Sequence, residues 1–469
     1  MQNQVVKKII KKMNLSNTQK HVYEKYLNGE NVFMTGPGGS GKSALIKLIY
    51  EDATKKHKNI QVCALTGCAA SLLDCGARTI HSWSGVGLGN KEYTSIIRDI
   101  CRKKCRKNWI NVDILVIDEI SMLSIELLEL LNHVAQHFKK NNKPFGGIQL
   151  IASGDFYQLP PVNSDNFCFE SDLWNVLFKN QIELKTIFRQ SDPILKKILN
   201  QIRKGKISKT SYEILLSRTD VSHEDLEIQP IILHSNKYKV ESLNSSALKK
   251  IKEDSHTFSA TTNMSDGVKI SDKELQYELN NMLKNSGFYE KLELKKGAKV
   301  LSTVNYADTF ETTKPIYNGC EGIVTDFNEE GFPIVKFING AVKIIKNHTW
   351  TSDNITELSV NQIPLILAWA ITIHKSQGLS LDNALIYVGD DVFEAGQMYV
   401  AISRVRSING LYLKEFNHKK IKANEKVGKY YESLHQINMD NMIESVDVNE
   451  SSEEKKVMRP SDKITDFFK

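Results

Sequence analysis

The sequence predicts an α/β protein built on parallel sheets, and three stretches carry that prediction. Gly36-Pro37-Gly38-Gly39-Ser40-Gly41-Lys42-Ser43 fits the phosphate-loop pattern G-x-x-x-x-G-K-[ST], between the apolar run Val32 to Met34 and the helix-suited Ala44-Leu45-Ile46-Lys47-Leu48-Ile49. Val112 to Ile117 is an apolar strand save for Asp113, and it delivers Asp118-Glu119 at its C-terminal end, where open parallel sheets place their ligands. Ile148 to Ala152 forms a further strand, running into Ser153-Gly154-Asp155-Phe156-Tyr157-Gln158. At 469 residues the chain exceeds one ordinary core, so two or three domains are expected.

The residue types define the chemistry of the loop. Glycines at Gly36, Gly38, Gly39 and Gly41, with Ser40 between, let backbone N–H groups converge on phosphate oxygens at a helix N-terminus. Lys42 is placed to reach the β- and γ-phosphates, and Ser43 to offer its hydroxyl to Mg²⁺. Asp118 suits the hydration shell of the same ion, and Glu119 suits a general base for the attacking water. Gln158, at a strand terminus, is a candidate sensor of the γ-phosphate. Upstream, Ser16 is placed as a helix N-cap, and the amide of Gln19 could pair with the N6 and N7 edge of adenine or be a surface glutamine.

Composition limits the classes that fit. The 41% hydrophobic and 25% charged residues are ordinary for a soluble globular protein, and the net charge of +7 is compatible with a nucleic-acid partner. Seven cysteines without paired C-x-x-C spacing read as reduced intracellular thiols, although Cys101 and Cys105 lie one helical turn apart. The longest apolar stretch, Ile363 to Ile373, is too short to span a bilayer, so no membrane partner is expected. Lys7, Lys8, Lys11 and Lys12 make a basic amphipathic start that reads as a solvated helix face.

Along the chain, Ile60 to Leu65 reads as a strand followed by Thr66-Gly67-Cys68-Ala69-Ala70, and then Thr79-Ile80-His81-Ser82-Trp83. Small residues followed by a His and an aromatic suit a loop over which a nucleic-acid backbone passes and a base stacks, although Trp83 by its type alone reads rather as core. Residues 84–111 then carry Lys91, Arg98, Arg102, Lys103, Lys104, Arg106 and Lys107, a basic insertion beside that loop and a candidate for phosphate contact. Leu128, Leu131, Ala135 and Phe138 recur at helical spacing and mark a packing helix. Arg189 stands either in a surface salt bridge or as a charge reaching into a cleft on another lobe. From Gly297 onward short strands and the turn pairs Asn318-Gly319 and Asn339-Gly340 take over. Leu365 to Ala370 reads as one buried strand leading to Thr372-Ile373-His374-Lys375-Ser376-Gln377-Gly378. There His374 and Lys375 suit DNA phosphate on one side, and Gln377 and Gly378 face nucleotide on the other.

The order of motifs resembles the superfamily-one helicases and, within them, the petite-integration-frequency (PIF) family of DNA helicases, on the RecD-like branch. LSNTQ at 15–19, GPGGSGKS at 36–43, TGCAA at 66–70, TIHSWSGVGLG at 79–89 and IDEISML at 117–123 carry the likeness. It continues through GDFYQLPPV at 154–162, FRQ at 188–190, IHKSQGLSLD at 373–382 and YVAISRV at 399–405. The resemblance implies two RecA-like domains with ATP and Mg²⁺ between them, translocation on single-stranded DNA in the 5′-to-3′ sense, and unwinding of forked duplexes in replication, repair or recombination. Gln19 then reads adenine, Gln158 senses the γ-phosphate, and Arg189 and Arg404 become arginine fingers. Thr66, Thr79, His81, Trp83, Asn236, His374 and Lys375 become DNA contacts. Cys68 departs from the basic or polar residue more usual there, and the chain lacks the long N-terminal extension of many cellular members.

The domain reading that follows is a first RecA-like domain over 1–175 with its basic wedge-like insertion at 84–111. The second covers 176–296 and 356–435, with a small β-barrel inserted over 297–355. The polar tail over 436–469 ends in Ile464, Phe467 and Phe468, spaced as in peptides that dock on replication sliding clamps, though Ser461 replaces the usual Gln; docking back on the protein's own body is the alternative. A monomer acting in the nucleus or a viral replication compartment is expected. The rival functions are a DNA-stimulated ATPase that remodels nucleoprotein without separating strands, a RecD-like recombination helicase, and a clamp-bound protein whose ATPase switches its shape.

Overall fold

A computed structural model describes residues 15–434, apart from 74, 88–91, 103–104, 162–163, 165, 227–228, 265–270, 286–287, 307–315, 317, 353–354 and 356. The tail residues Ile464, Phe467 and Phe468 lie outside the described residues. Two compact units divide at 423/424, and the described part of the second is a helix over 425–434.

The first six strands are β1 (Val32–Thr35), β2 (Ile60–Ala64), β3 (Arg78–Thr79), β4 (Ile114–Asp118), β5 (Gln149–Gly154) and β6 (Asn180–Glu183). All run parallel in the order β3-β2-β4-β5-β1-β6. β1 and β4 are buried along their whole length, as continuous apolar runs must be when helices cover both faces of a parallel sheet. Helix Lys42–Lys55 contributes Leu45, Ile46, Ile49 and Ala53 to that cover. Because β4, β5 and β1 are neighbours, the acidic pair, the Asp155-to-Gln158 segment and the phosphate loop emerge side by side at the C-terminal edge.

Two boundaries move. β6 pairs with β1 in the register Val32↔Asn180 to Thr35↔Glu183, so the first sheet continues past the expected limit at 175. The expected single strand over 365–370 is two. Leu365–Leu367 pairs antiparallel with Lys299–Ser302, whereas Ala370–Thr372 pairs parallel with Ile231–His234. Both pieces are apolar because both sheets bury them, and the continuous run hides the break at Ala368-Trp369.

The second parallel sheet has the order Ala370–Thr372, Ile231–His234, Ala384–Tyr387, Leu411–Lys414. Its core includes Ile231, Leu233, Ile371, Ile386, Val400 and Leu413. The expected barrel is instead an open five-stranded antiparallel sheet among the described residues, running from Val342–Ile344 at one edge to Leu365–Leu367 at the other. It thus recruits a strand from beyond 355. The turn glycines Gly319 and Gly340 have φ of 85° and 84°, the left-handed backbone that those Asn-Gly pairs favour. The basic insertion forms helices Tyr93–Arg102 and Arg106–Asn111, which bury Ile96, Ile100 and Trp109 and leave Arg98, Arg102, Arg106 and Lys107 in solvent.

Candidate active site

A cavity of about 300 Å³ lies at the C-terminal edge of the first sheet, lined by the phosphate loop, Asp118, Glu119, Gln158, Arg189, Gly378 and Arg404. Its floor is the loop itself. Gly39 has φ of 81°, and a Cβ there would fall 2.4 Å from the Cβ of Arg189; at Gly41 a Cβ would fall 2.5 Å from Nε2 of Gln19. Glycine is therefore required both by the backbone conformation and by the closeness of the two neighbours. Lys42 Nζ donates to the carbonyls of Gly36 at 2.7 Å and Pro37 at 3.2 Å, and burial holds its pKa below the usual lysine value. Ser43, at the start of the helix, faces the same cavity.

Gln19 is the third helical residue after the cap Ser16, so its Oε1 accepts from Ser16 N–H at 2.9 Å while Ser16 Oγ accepts from Gln19 N–H. Its Nε2 donates to Ser40 O at 3.4 Å. The capping box that starts the helix thus also sets the amide against the phosphate loop.

Two carboxylates stand across from Lys42. Asp118 ends β4, and burial raises its pKa. Glu119 follows at φ 55°, a left-handed turn for a non-glycine residue. Burial first, and then the charge of Asp118, pushes the Glu119 carboxyl up to about 7. Two acids buried this close, beside a loop whose N–H donors converge, are the donor set that a Mg²⁺-bound nucleotide phosphate fits.

The segment Thr372–Leu379 reaches in from the second sheet and meets Glu119, Gln158 and both arginines. Gln377 Nε2 donates to Glu119 Oε2 at 2.8 Å and to Gln158 Oε1 at 3.3 Å, tying the acid to the glutamine that follows β5. Arg189 Nη2 donates to Gly378 O at 3.3 Å. Arg404 is fully buried, with Nε donating to Val400 O at 2.8 Å and Nη1 to the carbonyls of Ser376 and Leu379, each at 3.4 Å. Burial and the neighbouring Arg189 charge bring the Arg404 guanidinium down to about 9. A Cβ on Gly38 would sit 3.6 Å from Arg404 Nη2 and 3.8 Å from Arg189 Nη1, so both cations converge on the loop.

The residues expected to touch DNA are divided. His374 and Lys375 are exposed at the outer side of the Thr372–Leu379 segment. Thr66 caps helix Gly67–Leu73 through Ala69 N–H, Thr79 caps helix Ile80–Ser84 through Ser82 N–H, and Asn236 Oδ1 accepts from Tyr238 and Lys239 N–H. His81 is half-buried in the helix that Thr79 caps, and burial lowers its pKa. Trp83 does not belong with them. It is 2% exposed and packs on Trp109 at a ring distance of 4.7 Å, so the indole that could have stacked a base is a core residue anchoring the basic insertion.

A model of the PIF1-like helicase family matches residues 14–213. The ATP-dependent DNA helicase PIF1 of Danio rerio is 35% identical over 428 residues, covering 90% of this chain and 64% of the relative. The crystal structure of the Pif1 helicase from Candida albicans superposes with a TM-score of 0.78 at 34% identity, covering 90% of this chain and 99% of that one. The chain belongs to the PIF1-like helicase family. A Pif1 helicase from Bacteroides, solved in complex with ADP-AlF3 and ssDNA, is 28% identical with a TM-score of 0.63, covering 90% and 97% of the two chains. This chain spans less than two thirds of the zebrafish relative's length.

In this PIF1-like chain three further residues complete the cleft. Gly38 N–H donates to the Tyr399 hydroxyl at 2.9 Å, and that hydroxyl donates to Asp155 Oδ2 at 3.3 Å. Asp155, wholly buried, is held in a two-pronged ion pair by Arg203 Nε and Nη2, both at 2.9 Å, and Arg203 Nη1 reaches Glu183 at 3.1 Å. The chain phosphate loop, Tyr399, Asp155, Arg203 thus crosses from one sheet to the other. Asp155 and Tyr399 lie inside motifs already singled out, but Arg203 stands at the end of an ordinary amphipathic helix, Pro193–Arg203, with no motif to mark it.

Proposed function

We propose that this chain is an ATP-dependent DNA helicase that moves 5′ to 3′ along single-stranded DNA and opens forked duplexes in replication, repair or recombination. The observation that carries the reading is the convergence of Arg189 and Arg404, from segments beyond the first sheet, on a phosphate loop that faces Asp118 and Glu119. The relatives' names support it, as does the Bacteroides homologue solved with ADP-AlF3 and ssDNA.

Each group has a task that its surroundings fit. The loop N–H groups and Lys42 bind the phosphates, and in doing so Lys42 exchanges the carbonyls of Gly36 and Pro37 for phosphate oxygens. Ser43 and Asp118 would hold Mg²⁺, which would neutralise phosphate charge. Glu119 takes a proton from the attacking water, a role suited to a carboxyl at about 7, and Gln377 fixes its orientation toward Gln158. Arg189 and Arg404 place positive charge at the phosphates only when the two sheets are together, which makes hydrolysis report closure. The same segment that carries Gln377 exposes His374 and Lys375, so a DNA strand and the nucleotide bear on one short stretch of backbone.

Forked duplexes with a single 5′ or 3′ tail test this directly. Displacement restricted to the 5′-tailed fork, lost in Lys42→Ala, is expected; hydrolysis without displacement on either fork would replace the helicase with a nucleoprotein remodeller.

A further inference from the structure

Among the described residues two large apolar side chains stand out in solvent: Tyr238 at 81% and Phe393 at 71% exposed, against 55% for the next, Phe188. Isolated exposed aromatics are ordinary, but these two share one end of one sheet. Tyr238 follows strand Ile231–His234, and Phe393 follows its neighbour Ala384–Tyr387. Asp391 joins the two connections: its carbonyl accepts from Ser235 Oγ at 2.7 Å, and its carboxylate pairs with Lys239 and, at 3.4 Å, with His234. On the other side of Ile231–His234, strand Ala370–Thr372 runs on into a turn that carries His374 and Lys375.

Neither aromatic is on a loose loop. Asn236 Oδ1 accepts from Tyr238 N–H at 2.9 Å, and the buried Gln397 Oε1 accepts from Phe393 N–H at 3.1 Å and Glu394 N–H at 3.4 Å. The backbone is fixed so that each ring projects into water, at the usual cost of leaving apolar surface unburied. Around them Lys375 is exposed on the neighbouring strand end, and Lys237 and Lys239, also exposed, pair with Glu241 and Asp391. Rigid aromatics interleaved with lysines match the chemistry of unpaired bases on a phosphate backbone.

We propose that Tyr238 and Phe393 are stacking platforms for the bases of single-stranded DNA, with His374 and Lys375 holding the adjoining phosphates. The proposal rests on the helicase reading above and extends the DNA path to side chains that no motif marks. Fluorescence anisotropy with the full chain, using an oligothymidine and an abasic oligomer of equal length, tests it. Phe393→Ala and Tyr238→Ala are each expected to weaken oligothymidine binding about 5- to 100-fold while leaving abasic binding unchanged. Their salt dependence should match the wild type, whereas Lys375→Ala should flatten the slope of log K against log salt by about 0.7 with both oligomers. Unchanged oligothymidine affinity, as a protein-docking role for the aromatics would give, overturns the proposal, and so does equal loss with both oligomers. Failure of the wild type to bind either strand would remove the helicase reading itself.

Discussion

Replacing Arg203 by Met keeps the length of the side chain and removes its charge. In the native fold the guanidinium is 5% exposed and makes two 2.9 Å bonds to Asp155, which is 0% exposed, plus one to Glu183. Breaking one side of a buried pair costs about 3–5 kcal/mol, because the remaining carboxylate keeps its desolvation penalty without its counter-charge. At roughly 2–4 °C per kcal/mol for a domain of 150–250 residues, the apparent thermal midpoint should fall by about 6–20 °C. The Asp155→Asn/Arg203→Met double variant should recover part of that loss, since two neutral partners carry no stranded charge. Differential scanning fluorimetry of wild type, both single variants and the double variant closes the cycle. A cost below about 1 kcal/mol for Arg203→Met, or strict additivity in the double variant, would show that the pair does not clamp the two sheets.

Gly39→Ala places a Cβ 2.4 Å from that of Arg189 on a left-handed backbone, so ATP turnover and thermal stability should both fall; a wild-type rate would mean that the loop and Arg189 separate freely. Trp83→Ala should cost about 3–5 kcal/mol of stability, as core aromatic truncations do, while the folded fraction binds single-stranded DNA as before; a selective loss of DNA affinity at normal stability would restore its place among the contacts. Gln377→Met removes the amide shared by Glu119 and Gln158 without changing volume much, and steady-state assays should show kcat reduced roughly 10- to 100-fold with KM for ATP little altered. Glu119→Gln should retain nucleotide binding, measured by a fluorescent analogue, while hydrolysis falls by about 10²–10⁴-fold.

How far the sequence could be read follows from where each constraint is written. The phosphate loop, the acidic pair and Gln158 were legible because short segments supply them at strand ends of one sheet, where local pattern fixes position. Ser16 was legible as a helix cap, and Gln19, buried with its amide against Ser40 of the loop, is not the surface glutamine that its type also allowed. Trp83 read as core by its type and as a base stack by its motif, and Trp109, 26 positions later, settles it as core. The break at Ala368-Trp369 was hidden since both sheets demand apolar residues. Arg203 was invisible because its partner, Asp155, is 48 residues away and nothing in a helix end announces a buried counter-charge.

The divided strand at 365–372 has a mechanical meaning. Its first half is stitched into the antiparallel sheet, its second into the parallel one, and Gln377 lies only five residues past the last rung. A rotation of the antiparallel sheet would therefore reach, along one short length of main chain, the amide that donates to Glu119. A load on one side of the molecule needs no relay of side chains to reach the phosphate-loop cleft on the other.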